Sequence, residues 1–234
     1  KQEEAARTEY RSQSQWGPYN SEFTTQKAGT TGVFAEDLIK VGNRFFLSVG
    51  GRHDDHDRFG KVDTYRIAPA FLIRETHTKL KASLGTGFKA PSLYQLYSQY
   101  GYSNLAPERS TSWDAGFEQD LWDGKASFGA VYFRNNLRDL IGFNNVTSKY
   151  YNVGRSRTEG YEITAQVKPT DKVIVKGNCT YTSAVDLSDG SSLVRRPRIK
   201  LGGDAELRPI EPLSVTLGAA YPGPRFETTR VKLG

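Results

Sequence analysis

Residues 161–181 read YEITAQVKPTDKVIVKGNCTY. Tyr161, Ile163, Ala165 and Val167 alternate with Glu162, Thr164 and Gln166. Beyond Pro169-Thr170-Asp171 the pattern resumes: Val173, Val175, Cys179 and Tyr181 oppose Lys176, Asn178 and Thr180. Successive side chains of a strand point to opposite faces, so both stretches predict strands with one apolar and one polar face, joined by a tight turn. Two further stretches repeat the scheme. Ile199, Leu201, Ala205 and Leu207 oppose Arg198, Lys200, Asp204 and Glu206; Leu213, Val215, Leu217, Ala219 and Tyr221 oppose Ser214, Thr216 and Gly218. Each segment is about 9–12 residues long, the length a tilted strand needs to cross a bilayer, whereas strands of soluble domains run nearer five or six.

Toward the N-terminus the pattern is looser but persists. Phe45, Leu47 and Val49 oppose Ser48, Gly50 and Arg52; Leu80, Ala82, Leu84 and Phe88 oppose Lys81, Ser83 and Gly85. Trp113, Ala115, Phe117 and Leu121 oppose Asp114, Gly116, Glu118 and Asp120. With mixed-face segments at Gly32–Ile39, Thr64–Ile73 and Phe128–Asn135, about ten strands are expected. Their connectors alternate in length. Gly42-Asn43, Glu75-Thr76-His77, Trp122-Asp123-Gly124, Pro169-Thr170-Asp171 and Pro209-Ile210-Glu211-Pro212 are short. Asp54–Lys61, Lys89–Ser110, Leu137–Arg155 and Asp186–Arg196 are long and polar. Tight turns on one end and long loops on the other predict an all-β, antiparallel transmembrane β-barrel. Tyr65, Trp113, Trp122, Tyr161, Tyr181 and Tyr221 are expected to form aromatic girdles at headgroup depth.

Composition agrees. The 234 residues include 23 Gly, 13 Tyr and 12 Phe, which suit strands and bends. No run approaches the ~20 apolar residues of a spanning helix. The single Cys179 excludes an internal disulfide, and the net charge of +6 is not gathered on one stripe as a nucleic-acid surface would need, so no nucleic-acid partner is expected. The chain has no Met and no secretory leader at Lys1, and is expected to be mature, trimmed or partial. Residues 1–28, polar and without alternation, are expected to be a loop or disordered lead-in; residues 29–234 are expected to form the partial barrel.

Several motifs invite a sharper chemistry. Gly85-Thr86-Gly87-Phe88-Lys89-Ala90 has a dinucleotide-binding outline, but Pro91 follows and no βαβ unit surrounds it. His53-Asp54-Asp55-His56-Asp57 is dense in ligand types for a metal, yet reads more simply as a solvated loop tip, and no metal site is assigned. Asp114, Glu118 and Asp120 share the polar face, where lysine and arginine can balance them, and no catalytic motif accompanies them. An enzyme is therefore not expected. Arg195 and Arg196 lie at a strand mouth and offer donor forks to an anionic ligand or to lipid phosphates. Asn144 through Asn152, with Tyr150 and Tyr151, has the Tyr/Asn content of a binding loop.

Taken in order, several segments resemble one family. Gly85-Thr86-Gly87-Phe88-Lys89-Ala90-Pro91-Ser92-Leu93 with Tyr94-Gln95-Leu96-Tyr97 is similar to a strand-to-loop motif of TonB-dependent outer-membrane receptors. Asn104-Leu105-Ala106-Pro107-Glu108-Arg109-Ser110, Tyr132–Ile141, Tyr150-Tyr151-Asn152-Val153-Gly154 and Gly160-Tyr161-Glu162 match later motifs, so the resemblance covers Thr31–Gly234. Within the family, the order and short turns most resemble the cobalamin transporters, where a double Arg like Leu193-Val194-Arg195-Arg196 precedes a strand and its first Arg contacts ligand. The resemblance implies a barrel of about 22 strands with a plugged lumen. It also implies a plug, absent from this chain, that contacts TonB, energised with ExbB and ExbD. Bound calcium would belong to Asp loops elsewhere in the full-length protein. No cofactor is implied, only a transported small molecule, with outer-membrane lipid and lipopolysaccharide as surroundings.

The expectation is an arc of a bacterial outer-membrane transporter, long loops outside and short turns in the periplasm. Arg195, Arg196, Asn144, Tyr150 and Tyr151 are its candidate ligand contacts. Cobalamin is the first expected cargo, a ferric siderophore or haem the second. A passive porin or an outer-membrane barrel enzyme is the reading from another class.

Overall fold

The computed structural model describes the backbone of residues 2–14, 17–228 and 231–233, and the side chains of residue 5 and residues 25–226. The strands are β1 (Gln2–Ser14), β2 (Gly17–Val41), β3 (Phe45–His56), β4 (Gly60–Ile73), β5 (Thr78–Lys89), β6 (Glu108–Leu121), β7 (Ala126–Asn144), β8 (Lys149–Thr170), β9 (Val173–Asp186), β10 (Ile199–Ile210) and β11 (Leu213–Pro222). They form one antiparallel sheet in strict sequence order. A short pair, β12 (Arg225–Thr228) with β13 (Val231–Leu233), stands apart, and one helical turn, α1 (Leu93–Tyr97), lies between β5 and β6.

The ten expected segments correspond to β2 through β11, and β1 is additional. Residues 2–14 and 17–28, expected as a loop or disordered lead-in, are strand instead, paired from Gln2 with Thr30 to Ser14 with Gly17. An extended ladder satisfies backbone groups without needing apolar alternation in the sequence. Two of the four long connectors are corrected in the same way. Asp54–His56 and Gly60–Lys61 continue β3 and β4, and Leu137–Asn144 and Lys149–Arg155 continue β7 and β8. Their turns shrink to residues 57–59 and 145–148. Among the described residues only 90–107 and 187–198 are extended loops.

The tight connectors, 42–44, 74–77, 122–125, 171–172 and 211–212, all lie at the opposite end. Gly42, His77, Trp122, Asp123 and Gly124 there have positive φ, the left-handed backbone that closes three- and four-residue hairpin loops.

Register aligns the alternation from strand to strand. Phe45 pairs with Phe71, Leu80 with Phe117, Ala82 with Ala115, Tyr132 with Tyr161, Ile163 with Cys179, Ala205 with Val175 and Leu201 with Tyr221. The apolar faces thus merge into one band across β3–β11, on which large side chains stay exposed: Ile163, Leu201 and Val215 at 42, 45 and 41%. Among the described residues the buried apolar side chains are few, and most belong to loops or strand extensions: Val62, Leu93, Leu96, Leu105 and Val153, with Ala126 and Ala184. A sheet that turns its apolar face outward needs an apolar surrounding, and a bilayer supplies it. The opposite wall carries polar bridges: Lys79 Nζ lies 3.2 Å from Glu118 Oε2, Lys81 also binds Glu118, and Ser83 donates to Asp114. Lys176 Nζ stands 3.8 Å from Asp204. Asp114 and Glu118 are thereby occupied as wet-wall partners of Ser83 and of Lys79 and Lys81.

The aromatic ring of Trp113, Tyr132 and Tyr161 sits within the strands, as do Tyr65 and Tyr181, while Trp122 and Tyr221 stand at strand ends. Trp113 and Tyr132 have ring centroids 5.2 Å apart, and Tyr132 and Tyr161 5.1 Å. Beyond this ring β7 and β8 continue for another ten residues or so at ~3.3 Å each, past the apolar band.

Candidate functional site

At the loop end, three segments lock together. Ser92 caps α1 by accepting from Gln95 N, and the Gln95 side chain returns a bond from Ser92 N, a closed capping box. Leu93, Leu96 and Leu105 form the buried underside of the 90–107 loop. Gly101 lies in its crease, where a Cβ would come within 2.7–2.9 Å of backbone atoms of Leu96 and Ser98. The loop is tied to the β7–β8 hairpin by the Asn152 amide, which accepts from Ala106 N (2.9 Å) and donates to Ala106 O (3.0 Å) and Asp139 O (2.6 Å). Tyr150 N donates to Tyr100 O at 2.9 Å, and Lys149 Nζ to Gln99 O at 2.9 Å. On the other flank Arg58 donates to Tyr97 Oη and Ser103 O and stacks on the Tyr97 ring. The platform therefore spans the β3–β4 tip, the α1 loop and the β7–β8 tip.

The predicted site residues fall in two places. Asn144 Oδ1 accepts from Val146 N (2.8 Å) and Thr147 N (3.1 Å), so it builds the 145–148 turn. Tyr150 packs among Phe143 (5.1 Å) and Tyr94 (6.4 Å), and burial followed by Tyr94 pushes its hydroxyl pKa up. Tyr151 is 44% exposed. Arg195 has φ 59° and its N–H donates to Phe226 O at 2.7 Å. Arg196 lines a cavity of about 310 Å³ with Thr182, Leu193, Arg198 and Phe226. That cavity includes none of Asn144, Tyr150 or Tyr151, which belong to the platform instead.

The His53–Asp57 cluster is dispersed among structural partners. His53 Nδ1 meets Asp63 at 2.7 Å, Arg52 Nη2 meets Asp54 at 2.6 Å, and Asp57 accepts from Gly29 N at 2.7 Å. His56 is buried, accepts from Arg58 N and lies 5.0 Å from the Phe59 ring. In the loop at 187–198, Ser191 N donates to Asp189 and holds that carboxyl below its usual range.

One feature escaped sequence reasoning. Arg109, Arg138 and Arg155 are direct partners across β6, β7 and β8, and with Arg157 they line a groove of about 590 Å³. They are dispersed in sequence, but each lies on the strand parity of the ring aromatics, a signal that counting outward from Trp113, Tyr132 and Tyr161 would have revealed.

The family model described as TonB dependent receptor-like, beta-barrel matches residues 2–233. Among solved structures, the ferric enterobactin receptor of Pseudomonas aeruginosa in complex with enterobactin is 25% identical, with a TM-score of 0.72 over 86% of this chain and 34% of its own. The siderophore receptor PirA of the same organism is 26% identical, with a TM-score of 0.70 over 84% of this chain and 38% of its own. The ferric-catecholate import receptor Fiu of E. coli shares the fold at 19% identity and a TM-score of 0.67, over 88% and 35%. The chain thus spans little more than a third of the structures it matches.

Proposed function

This chain belongs to the TonB-dependent receptor β-barrel family, and from that premise we propose that it is an arc of an outer-membrane receptor importing a ferric siderophore. The likeness to siderophore receptors at 25 and 26% identity carries the choice of ligand. Cobalamin, the cargo expected from the Arg195-Arg196 segment, has no counterpart among the neighbours named above. A porin or barrel enzyme finds no support in the family match, and no covalent step enters the mechanism.

The loop end is read as extracellular and the tight-turn end as periplasmic. Ligand would be captured on the aromatic platform with Tyr151 as a contact and Arg196 reaching it from the 187–198 loop, while Asn144 and Tyr150 shape the surface beneath. A ferric siderophore is large and in many cases anionic, which suits tyrosine faces and guanidinium donors. Passage through the lumen would follow movement of a plug pulled by TonB, with ExbB and ExbD supplying energy.

The test is a titration of the intact receptor with a ferric catecholate and with cyanocobalamin, each followed by tryptophan fluorescence. Submicromolar binding of the catecholate, weakened in R196A, with no cobalamin response, is expected. Cobalamin binding without catecholate binding overturns the ligand assignment. TonB-independent uptake in cells overturns the transport mechanism.

A further inference from the structure

On the apolar wall, beyond the aromatic ring, arginines face arginines. Arg109 is the direct partner of Arg138, and Arg138 of Arg155. Direct partners share a face, with Cβ atoms about 4.5–5.5 Å apart. Parity puts them on the wall that carries Trp113, Tyr132 and Tyr161. Along the strands they stand roughly 13 Å beyond Trp113 and roughly 20 Å beyond Tyr132 and Tyr161, at about 3.3 Å per residue. Arg157 fills the next rung toward the ring, its Nε donating to Asn136 Oδ1 at 3.0 Å. Arg109, Arg138 and Arg155 are all exposed.

Like charges set directly opposite destabilise a sheet. Nearer the ring this wall solves the problem with a carboxylate, for Arg134 Nε lies 2.7 Å from Glu159 Oε2. In the arginine row it does not. Among the described residues no ion pair joins a carboxylate to Arg109, Arg138 or Arg155, and the one carboxylate lining the groove, Asp63, is held by His53. The Arg109 guanidinium lies instead over the Phe88 ring, 5.6 Å from its centroid. The row therefore holds guanidinium groups with no carboxylate partner among the described residues, on the wall continuous with the lipid-facing band.

We propose that this row binds the phosphate groups of an anionic outer-leaflet lipid whose acyl chains lie along the apolar band. The assignment rests on the sidedness proposed above. Guanidinium forks match phosphate oxygens two at a time, and the bound anion removes the repulsion along the row. An apolar wall, an aromatic ring and then cations follow the order of an anionic lipid's own parts from tail to headgroup.

The test uses the full-length receptor in phosphatidylcholine nanodiscs carrying either diphosphorylated or dephosphorylated lipid A, with bound lipid counted by native mass spectrometry. The parent is expected to retain the phosphorylated lipid at least about tenfold better, the equivalent of one charge-assisted hydrogen bond. R138Q/R155Q is expected to lose that preference and R138K/R155K to keep most of it. Equal retention of both lipids by the parent, or an unchanged preference in R138Q/R155Q, overturns the proposal. So does full displacement of the lipid by millimolar inorganic phosphate, which marks a free-ion site. Failure of the siderophore titration would leave these lipid counts unmoved, so the two readings fail separately.

Discussion

Gly160 shows how little freedom single positions have in this sheet. A Cβ there would lie 1.8 Å from Tyr181 O and 3.0 Å from the Phe133 ring. The obstacle is backbone of the neighbouring strand, which cannot rotate aside. Gly160→Ala is expected to destabilise the barrel by about 1–3 kcal/mol as an overpacked site, read as a lower urea midpoint for the intact receptor in detergent. Glu75 illustrates electrostatics at the tight-turn end. Its own backbone N–H and then the Arg44 guanidinium hold its carboxyl below the ordinary value. A group with a depressed folded pKa stabilises above its unfolded pKa, about 4.3 for Glu, and loses that contribution as pH falls through the lowered value. An NMR titration of the Glu75 side-chain carbon is expected to give a midpoint below the free-Glu value, moving back up in R44Q. Because the pair is exposed, the effect should shrink in high salt.

Elements at the loop end are joined by polar links beside a small apolar core of Val62, Leu93, Leu96, Leu105 and Val153. Asn152 makes three of them with one amide, joining the 90–107 loop to the turn of backbone at Asp139, whose φ of 58° places its carbonyl for the contact. Asn152→Ala leaves those partly buried groups unpaired, at roughly 1–3 kcal/mol. The cost should stay local: faster hydrogen exchange and proteolysis within residues 98–107, with an unchanged barrel midpoint. Loss of global stability of the same size would mean that the loop and the sheet unfold as one unit. Two of the loop end's connectors proved to be strand because hairpin extensions beyond the apolar band need no apolar face. His53-Asp54-Asp55-His56 and Arg138-Asp139 carry polar side chains on both faces, which in sequence look like loop.

At the scale of the whole molecule, the apolar band is a statement about solvent. Cys179 sits on it, opposite Ile163 and Leu201. In the membrane-embedded receptor a charged, membrane-impermeant maleimide is expected to leave Cys179 unmodified, and full labelling should follow denaturation. A cysteine placed at Thr216, on the wet wall beside Glu206, should label in the folded state. Equal labelling of both positions would remove the basis for assigning the band to lipid.

Strand count, turn positions and the identity of the wet and apolar walls were legible in residues 161–221 because period-two alternation survives wherever one face meets lipid and the other water. The ring aromatics were legible for the same reason, though not that strands run past them. Polar strand was not legible: residues 2–14 and 17–28, the β3–β4 tip and the β7–β8 tip pair through backbone groups that every side chain leaves alike. Nor was proximity. Asn152 with Ala106, Arg58 with Tyr97, and the row Arg109–Arg138–Arg155 join residues far apart in the chain, and their meeting depends on register between strands. Alternation is a local property of a chain and can be read from it; register is a relation between segments, and only the folded sheet decides which side chains stand opposite one another.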